Sequence, residues 1–337
     1  MSNIYDLTRK EFQNIVTQNG LNKFQGDQIF SFIYRNKVRK LEECFNVNKK
    51  ALSLFNDYDF ETLNIDKVEK DSLGNIKFLF RLKDNNLIES VVMNQSYGKS
   101  ICITTQVGCN MGCKFCASGK LKKIRDLTPG EMVLQVIKAE EYLNDKLSYV
   151  VCMGIGEPFD NYLNLTKFLY IINDPKGISL GARHITVSTC GIPSKIIEFA
   201  DLDLQVNLAI SLHATTNPLR TSIMPINKVY NLDELFKAIS IYLTKGRRVT
   251  IEYILLKGVN DRETDANRLL GLLKHLDCYV NLIPYNDADT TFQKPNHDEQ
   301  MRFYKYLRDA GLNVTLRKEM GSNISAACGQ LRGNNLA

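Results

Sequence analysis

Three cysteines stand close together in the stretch Cys109-Asn110-Met111-Gly112-Cys113-Lys114-Phe115-Cys116. This C-x3-C-x2-C spacing lets all three thiolates grip one small inorganic object. Thiolates suit soft metals or an iron–sulfur cluster. A disulfide accounts for the pattern poorly, because three cysteines leave one unpaired. Zinc is the rival. A structural zinc site closes four ligands and often pairs two C-x2-C knuckles, whereas only one knuckle and four histidines occur in this chain. Three protein ligands to a 4Fe–4S cluster would leave one iron open for another molecule.

The elements that must position this loop can be read from patterning. Residues 1 to about 58 read as a small helical unit. Thr8 and Glu11 form a capping box ahead of an apolar stripe of Phe12, Ile15 and Val16, and a second helix is predicted from Phe24 to Asn36. The run Arg35-Asn36-Lys37-Val38-Arg39-Lys40 suits either a solvated helix end or a phosphate-contacting patch. Residues 59 to 106 switch to period two. Ile76, Phe78, Phe80 and Leu82 predict a half-buried strand between turns at 72–75 and 83–86, with further strands at Leu87–Met93 and Ser100–Thr105. On the second of these three strands Glu89 reads, by itself, as a surface carboxylate.

Beyond the cysteines, short apolar strands (Tyr149–Met153, His184–Ser188, Asn207–His213, Val249–Leu256 and Tyr279–Ile283) alternate with helix-length segments. One such segment opens on Thr128-Pro129-Gly130-Glu131, which combines an N-cap, a first-turn proline and a capping glutamate. Alternation of this kind gives a parallel sheet wound by right-handed crossovers, with sites at the carboxyl ends of its strands. Gly154 to Glu157, Ser188, Ser211 to His213 and Asn286 fall at those ends. The serines, His213 and Asn286 read equally well as satisfied polar groups. Gly154-Ile155-Gly156 is no dinucleotide loop, because Phe159 stands where the third glycine belongs.

Composition sets outer bounds. The 337 residues can hold one large α/β domain or a large domain plus a small one. They are 44% hydrophobic and 24% charged, ordinary for a soluble globular protein, and no apolar run approaches the ~18 residues that span a bilayer. The polar first ten residues argue against export. Nine cysteines then point to a reducing compartment where thiols serve metals or catalysis. A net charge of +6 is compatible with a nucleic-acid partner without requiring one.

The cysteine stretch, with an aromatic residue before its last cysteine, resembles the radical S-adenosylmethionine enzymes. Four further stretches narrow the resemblance: Met153 to Pro158, Ser211-Leu212-His213, Asn281 to Asn286 and Ala326-Ala327-Cys328-Gly329-Gln330-Leu331. From about Phe24 to Gly333 the chain resembles the RNA adenine-C2 methyltransferases of the RlmN type. The resemblance implies a partial (β/α)6 barrel at 101–320, a helical RNA-binding accessory domain at 1–58, a β-rich connector at 59–100 and a C-terminal segment, 321–337, carrying a reactive cysteine. Cys109, Cys113 and Cys116 would hold the 4Fe–4S cluster. Gly156, Glu157, Ser188, Ser211, Leu212, His213 and Asn286 match positions that line the S-adenosylmethionine pocket, where Glu157 would accept from the methionine ammonium.

The chemistry has a reason. C2 of adenine is electron-poor, so a sulfonium methyl has no nucleophile to meet there, whereas a carbon radical can add to it. The family uses the cysteine at the position of Cys328 as a methyl carrier and spends two S-adenosylmethionine molecules per turnover. Cys102 matches its second cysteine, which releases the RNA through a transient disulfide, and Glu89 matches the base for the C2 proton. At an ordinary pKa near 8.5 only about 3% of a thiol is ionised at neutral pH, so Cys328 requires activation by its pocket. The remaining cysteines, Cys44, Cys152, Cys190 and Cys278, are assigned to packing. Lys114, Lys120, Lys122, Lys123 and Arg125 around the cluster loop are candidates for phosphate contact.

The implied substrates are an adenosine in the peptidyl-transferase loop of 23S rRNA and the adenosine following the tRNA anticodon. An electron donor such as flavodoxin or ferredoxin, no membrane, a monomeric state and a cytoplasmic location complete the expectation. Asn323 and Ser325 depart from the acidic residues that relatives often carry before the carrier cysteine. A C8-methylating enzyme is the nearest alternative, disfavoured by Glu157-Pro158. A non-catalytic RNA-binding protein with a structural metal is the alternative of a different class.

Overall fold

The computed structural model describes residues 3–60, 63–286, 291–317, 324 and 329–331. It opens with three helices, α1 (Arg9–Gln18), α2 (Lys23–Tyr34) and α3 (Lys49–Ser53). The Thr8–Glu11 capping box starts α1 as predicted. Phe12 stacks on Phe55 and meets Phe30 edge-on, with centroids 5.0 and 5.9 Å apart, so aromatic packing closes this small core.

Three cations of the run that follows α2 make intramolecular contacts. Lys37 Nζ lies 2.7 Å from Glu140, Arg39 pairs with Glu141 and donates to Tyr5 Oη, and Arg35 donates to the Pro175 carbonyl. Arg9–Asp174 and Lys176–Asp27 extend the belt at 2.7 and 2.9 Å. Arg35, Lys37 and Arg39 thus dock the helical unit, while Lys40 of the same run is exposed.

Four strands follow, β1 (Asn64–Lys70), β2 (Ile76–Arg81), β3 (Leu87–Gln95) and β4 (Gly98–Cys102), each antiparallel to the one before. β2 departs from the half-buried expectation: Ile76 to Phe80 are all buried, Lys77 included. Its ammonium is tolerated because Glu69 and Glu89 face it at 2.8 and 3.5 Å. A two-residue ribbon, β5 (Gln106–Val107) with β6 (Arg125–Asp126), closes the base of the cysteine loop.

From there strands and helices alternate: α4 (Pro129–Leu143), β7 (Tyr149–Cys152), α5 (Tyr162–Asn173), β8 (Ile185–Thr189), α6 (Pro193–Ala200), β9 (Asn207–Ser211), α7 (Asn217–Ile223), α8 (Leu232–Thr244), β10 (Val249–Leu255), α9 (Glu263–Leu273), β11 (Cys278–Pro284), α10 (His297–Asp309) and β12 (Val314–Leu316). β4 pairs parallel with β7, and parallel pairing then runs in chain order to β12. The result is a partial (β/α)6 barrel, with β12 as a short extra edge strand and β1–β3 continuing the same sheet from the other side. The connector is therefore part of the barrel sheet. Among the described residues no helix is long and apolar enough to cross a membrane.

Candidate active site

The cysteine loop leaves β5 through Gly108, at φ +78°, where a side chain would lie 2.1 Å from the Lys122 carbonyl. That close approach pins the two ends of the loop together, helped by Cys109 N–H donating to Leu121 O at 3.1 Å. Lys114 N–H donates to Ile223 O on α7, and Ala117 N–H donates to Gly329 O at 2.8 Å. The loop is thus fastened both to a barrel helix and to the C-terminal segment.

Cys109, Cys113 and Cys116 line one cavity. Burial pushes the Cys109 thiol up to about 11 and raises Cys113 and Cys116 as well, so all three need a cation to become thiolates. Among the described residues no group of three histidine, cysteine or acidic side chains gathers tightly enough to hold a single ion. A 4Fe–4S cluster spreads its ligands over separate irons and does not require that convergence, so an all-thiol donor set around one cavity fits it.

The same cavity is lined by Gly156, Glu157, Ser188, Ser211 and His213, which the fold brings together from the ends of β7, β8 and β9. Gly154 and Gly156 are needed for protein contact. A side chain at Gly154 would lie 2.6 Å from Ile103 O, and one at Gly156, at φ +106°, would lie 2.6 Å from Gln106 Cβ. Glu157 is buried, and its two carboxylate oxygens accept from Phe159 N–H at 2.9 Å and Cys190 N–H at 2.7 Å. Burial raises its pKa, with these backbone donors opposing the shift.

His213 sits in the left-handed region at φ +57°, a conformation that costs energy away from glycine. It is held there by Ile254 N–H donating to Nδ1 at 3.0 Å and by Asn260 Nδ2 donating to the His213 carbonyl at 2.8 Å. Burial, then the charge of Arg220, lowers its pKa to about 3. The ring is therefore neutral, with its proton on Nε2. Phe115 meets it edge-on at 4.9 Å, which gives the aromatic residue of the cysteine motif a packing role.

Two predicted cofactor residues stand elsewhere. The Leu212 side chain is wholly buried in the main core, its N–H donating to Glu252 O and its carbonyl accepting from Arg220. Asn286 lies buried just past β11 and is not among the described side chains that line this cavity. Cys152 and Cys190 pack in the hydrophobic core, as expected, and also line this cavity.

Glu252 was missed. It stands in register with Ser211 on one side and Asn281 on the other, and it lines the cavity. Asn281 Nδ2 donates to both its oxygens at 3.2 and 3.0 Å. Burial raises its pKa despite Arg317 and Asn281. A raised carboxyl favours the folded state while protonated and loses that advantage as pH climbs through the folded pKa. Glu252→Gln is therefore expected to be stabler than the parent at pH 8, where the buried carboxylate is charged. The gap should shrink towards pH 5 in thermal melts at the two pH values; a gap independent of pH would contradict it.

A second cavity adjoins the first. Cys102, Val91, Met93 and Leu331 line it, and Cys116, Ser118, Met153, Gly154, Arg317 and Gly329 line both. Cys102 stands opposite Val91 across β3 and β4, and Glu89, two residues along β3, shares that face. Glu89 is buried, not a surface carboxylate, and Lys77 stands 3.5 Å away. Cys328 lies outside the described residues, as do Asn323 and Ser325; its neighbour Gly329 lines both cavities. Of the cations around the loop, Lys123 pairs with Asp126 and Asp160, and Arg125 with Asp84 and Glu131, so these two serve structure. Lys114 and Lys122 are exposed.

An open parallel barrel that presents a three-cysteine loop and a polar pocket at its strand ends defines a radical-S-adenosylmethionine protein. A family model described as the radical SAM superfamily matches residues 103–270, and another, the ribosomal RNA large subunit methyltransferase N-terminal domain, matches residues 2–53. A crystal structure of a radical SAM methyltransferase from Sphaerobacter thermophilus superposes with a TM-score of 0.91 at 38% identity, covering 99% of this chain and 100% of that one. The protein named probable dual-specificity RNA methyltransferase RlmN from Acholeplasma laidlawii is 49% identical, over 99% of both chains. Its namesake in Listeria monocytogenes is 49% identical over 99% of this chain and 94% of its own. The chain belongs to the RlmN family.

Proposed function

We propose that the chain methylates C2 of an adenine held unstacked at the barrel mouth, in the peptidyl-transferase loop of 23S rRNA and in tRNA at the adenosine following the anticodon. The observation that carries this reading is the pair of adjoining cavities. One gathers the three cluster cysteines and Glu157; the other holds Cys102, and both are lined by Gly329, the neighbour of Cys328.

A 4Fe–4S cluster on Cys109, Cys113 and Cys116, with one iron open, would supply the electron that splits S-adenosylmethionine into a carbon radical. Glu157, oriented by two backbone donors, accepts from the methionine ammonium. Ser188, Ser211 and the Nε2–H of His213 offer hydrogen bonds along the same wall, Gly156 keeps the backbone close, and Leu212 and Asn286, just past β9 and β11, hold the strand ends that form it. The Cys328 thiolate takes the methyl group of one S-adenosylmethionine. That methyl gives a hydrogen atom to the radical from a second, and the resulting methylene radical adds to C2. The adduct loses its C2 proton to Glu89 and gives one electron back to the cluster. The Cys102 thiolate then attacks the Cys328 sulfur, breaking the bond to the methylene carbon, which takes up a proton to become the methyl group as the disulfide forms and RNA leaves.

The disulfide must be reduced before the next turnover, which a cytoplasmic location allows; the protein acts as a monomer, and a donor such as flavodoxin or ferredoxin would supply the cluster's electron. Residues 1–58 contribute RNA contacts beyond the barrel. Mass spectrometry of rRNA and tRNA from a strain lacking this protein tests the proposal. Loss of 2-methyladenosine at those positions supports it, whereas intact 2-methyladenosine, or loss of a C8 methyl group instead, overturns it.

A further inference from the structure

Arg220 is the largest wholly buried side chain among the described residues. Its guanidinium on α7 donates to Cys190 O at 2.5 Å, to Ser211 O and Leu212 O at 3.1 Å, and to Asn227 Oδ1 at 3.2 Å. Every one of these acceptors is a neutral oxygen. Among the described residues no carboxylate lies within ion-pair distance of it. Burying a cation without an acid partner is costly, and neutral carbonyls only partly offset it.

The compensating charge lies across the cavity wall. α7 holds the cysteine loop through Lys114 N–H and Ile223 O at 2.9 Å, and a side chain at Gly112 would meet Pro225, just beyond α7, at 3.5 Å. Cys190 and Ser211, whose carbonyls the guanidinium holds, line the same cavity as Cys109, Cys113 and Cys116. A 4Fe–4S core of charge +2 on three thiolates is net −1. One electron from a low-potential reductant takes it to −2, with no proton moved.

We propose that Arg220 is the counter-charge of the reduced cluster, a positioning residue that holds the strand ends and favours uptake of the electron without touching cofactor or RNA. The idea rests on the cluster reading above. In a low-dielectric interior a fixed cation nearby stabilises the added negative charge, so its loss should shift the reduced-to-oxidised ratio at fixed potential by on the order of tenfold.

The test is a potentiometric titration of anaerobically reconstituted full-length protein, followed by electron paramagnetic resonance, without S-adenosylmethionine or RNA. Arg220→Gln is expected to lower the reduced fraction about tenfold at the potential that half-reduces the parent. Arg220→Lys, which keeps the charge but loses the planar fork, should titrate near the parent. Should Arg220→Gln fail to fold or load iron, Asn227→Asp sets a carboxylate against the guanidinium in place. It should shift the ratio in the same direction. The inference is overturned if the loaded Gln or Asp variant titrates with the parent, or if Lys shifts as far as Gln. A parent that holds no iron would defeat the cluster reading itself, which the iron content of the parent distinguishes.

Discussion

Cys102→Ala is expected to turn the protein into a trap. The variant still loads Cys328 with a methyl group and still adds it to the adenine, but it has no thiol to attack the carrier sulfur. RNA therefore stays covalently attached, visible as a heat- and denaturant-stable band that nuclease collapses. Steady-state turnover falls by on the order of 10³-fold, with at most one RNA captured per protein. Cys328→Ala forms no adduct at all, and neither does the double variant. The placement of Cys102 supports the asymmetry: it stands opposite Val91 in the second cavity, on the face that Glu89 shares. Free release of methylated RNA by Cys102→Ala would remove the role assigned to that cysteine.

Glu157→Gln is expected to weaken S-adenosylmethionine binding by about 10- to 100-fold, the range for losing one hydrogen bond to a charged group. The carboxylate has both oxygens already fixed by backbone donors, at Phe159 and Cys190. An amide in its place presents an N–H to one of them, donor against donor, and has no charge to offer an ammonium. Equilibrium dialysis of the cluster-loaded protein checks the affinity, and a parallel melt separates that loss from general destabilisation. Unchanged affinity would mean that another group receives the methionine end.

The cysteine loop was legible because its information is local: three thiols at fixed spacing need no tertiary context. The strand-end motifs were legible for a related reason, since a parallel sheet puts its loops on one side. The missed residues were long-range. Glu252 sits inside the apolar run Val249–Leu255, where sequence gives no hint that Ser211 and Asn281 flank it. Arg220 looks like any helical cation until three carbonyls from two strand ends close around it.

The partners of the cation run after α2 were long-range as well. Its charges suggest phosphate, yet Glu140 and Glu141 lie a hundred residues away on α4 and take two of them. β2 was misread as half-buried because alternation cannot register a covered second face, where Lys77 is matched by acids on β1 and β3. β12, at three residues, is too short for any periodicity to announce it.

The most direct measurement is anaerobic. Reconstituted protein should be brown, carry about four irons per chain, and on reduction cleave S-adenosylmethionine to 5′-deoxyadenosine. Replacing Cys109, Cys113 and Cys116 together should abolish both colour and cleavage. A colourless protein that binds zinc, or cleavage that survives loss of all three sulfurs, would contradict the account.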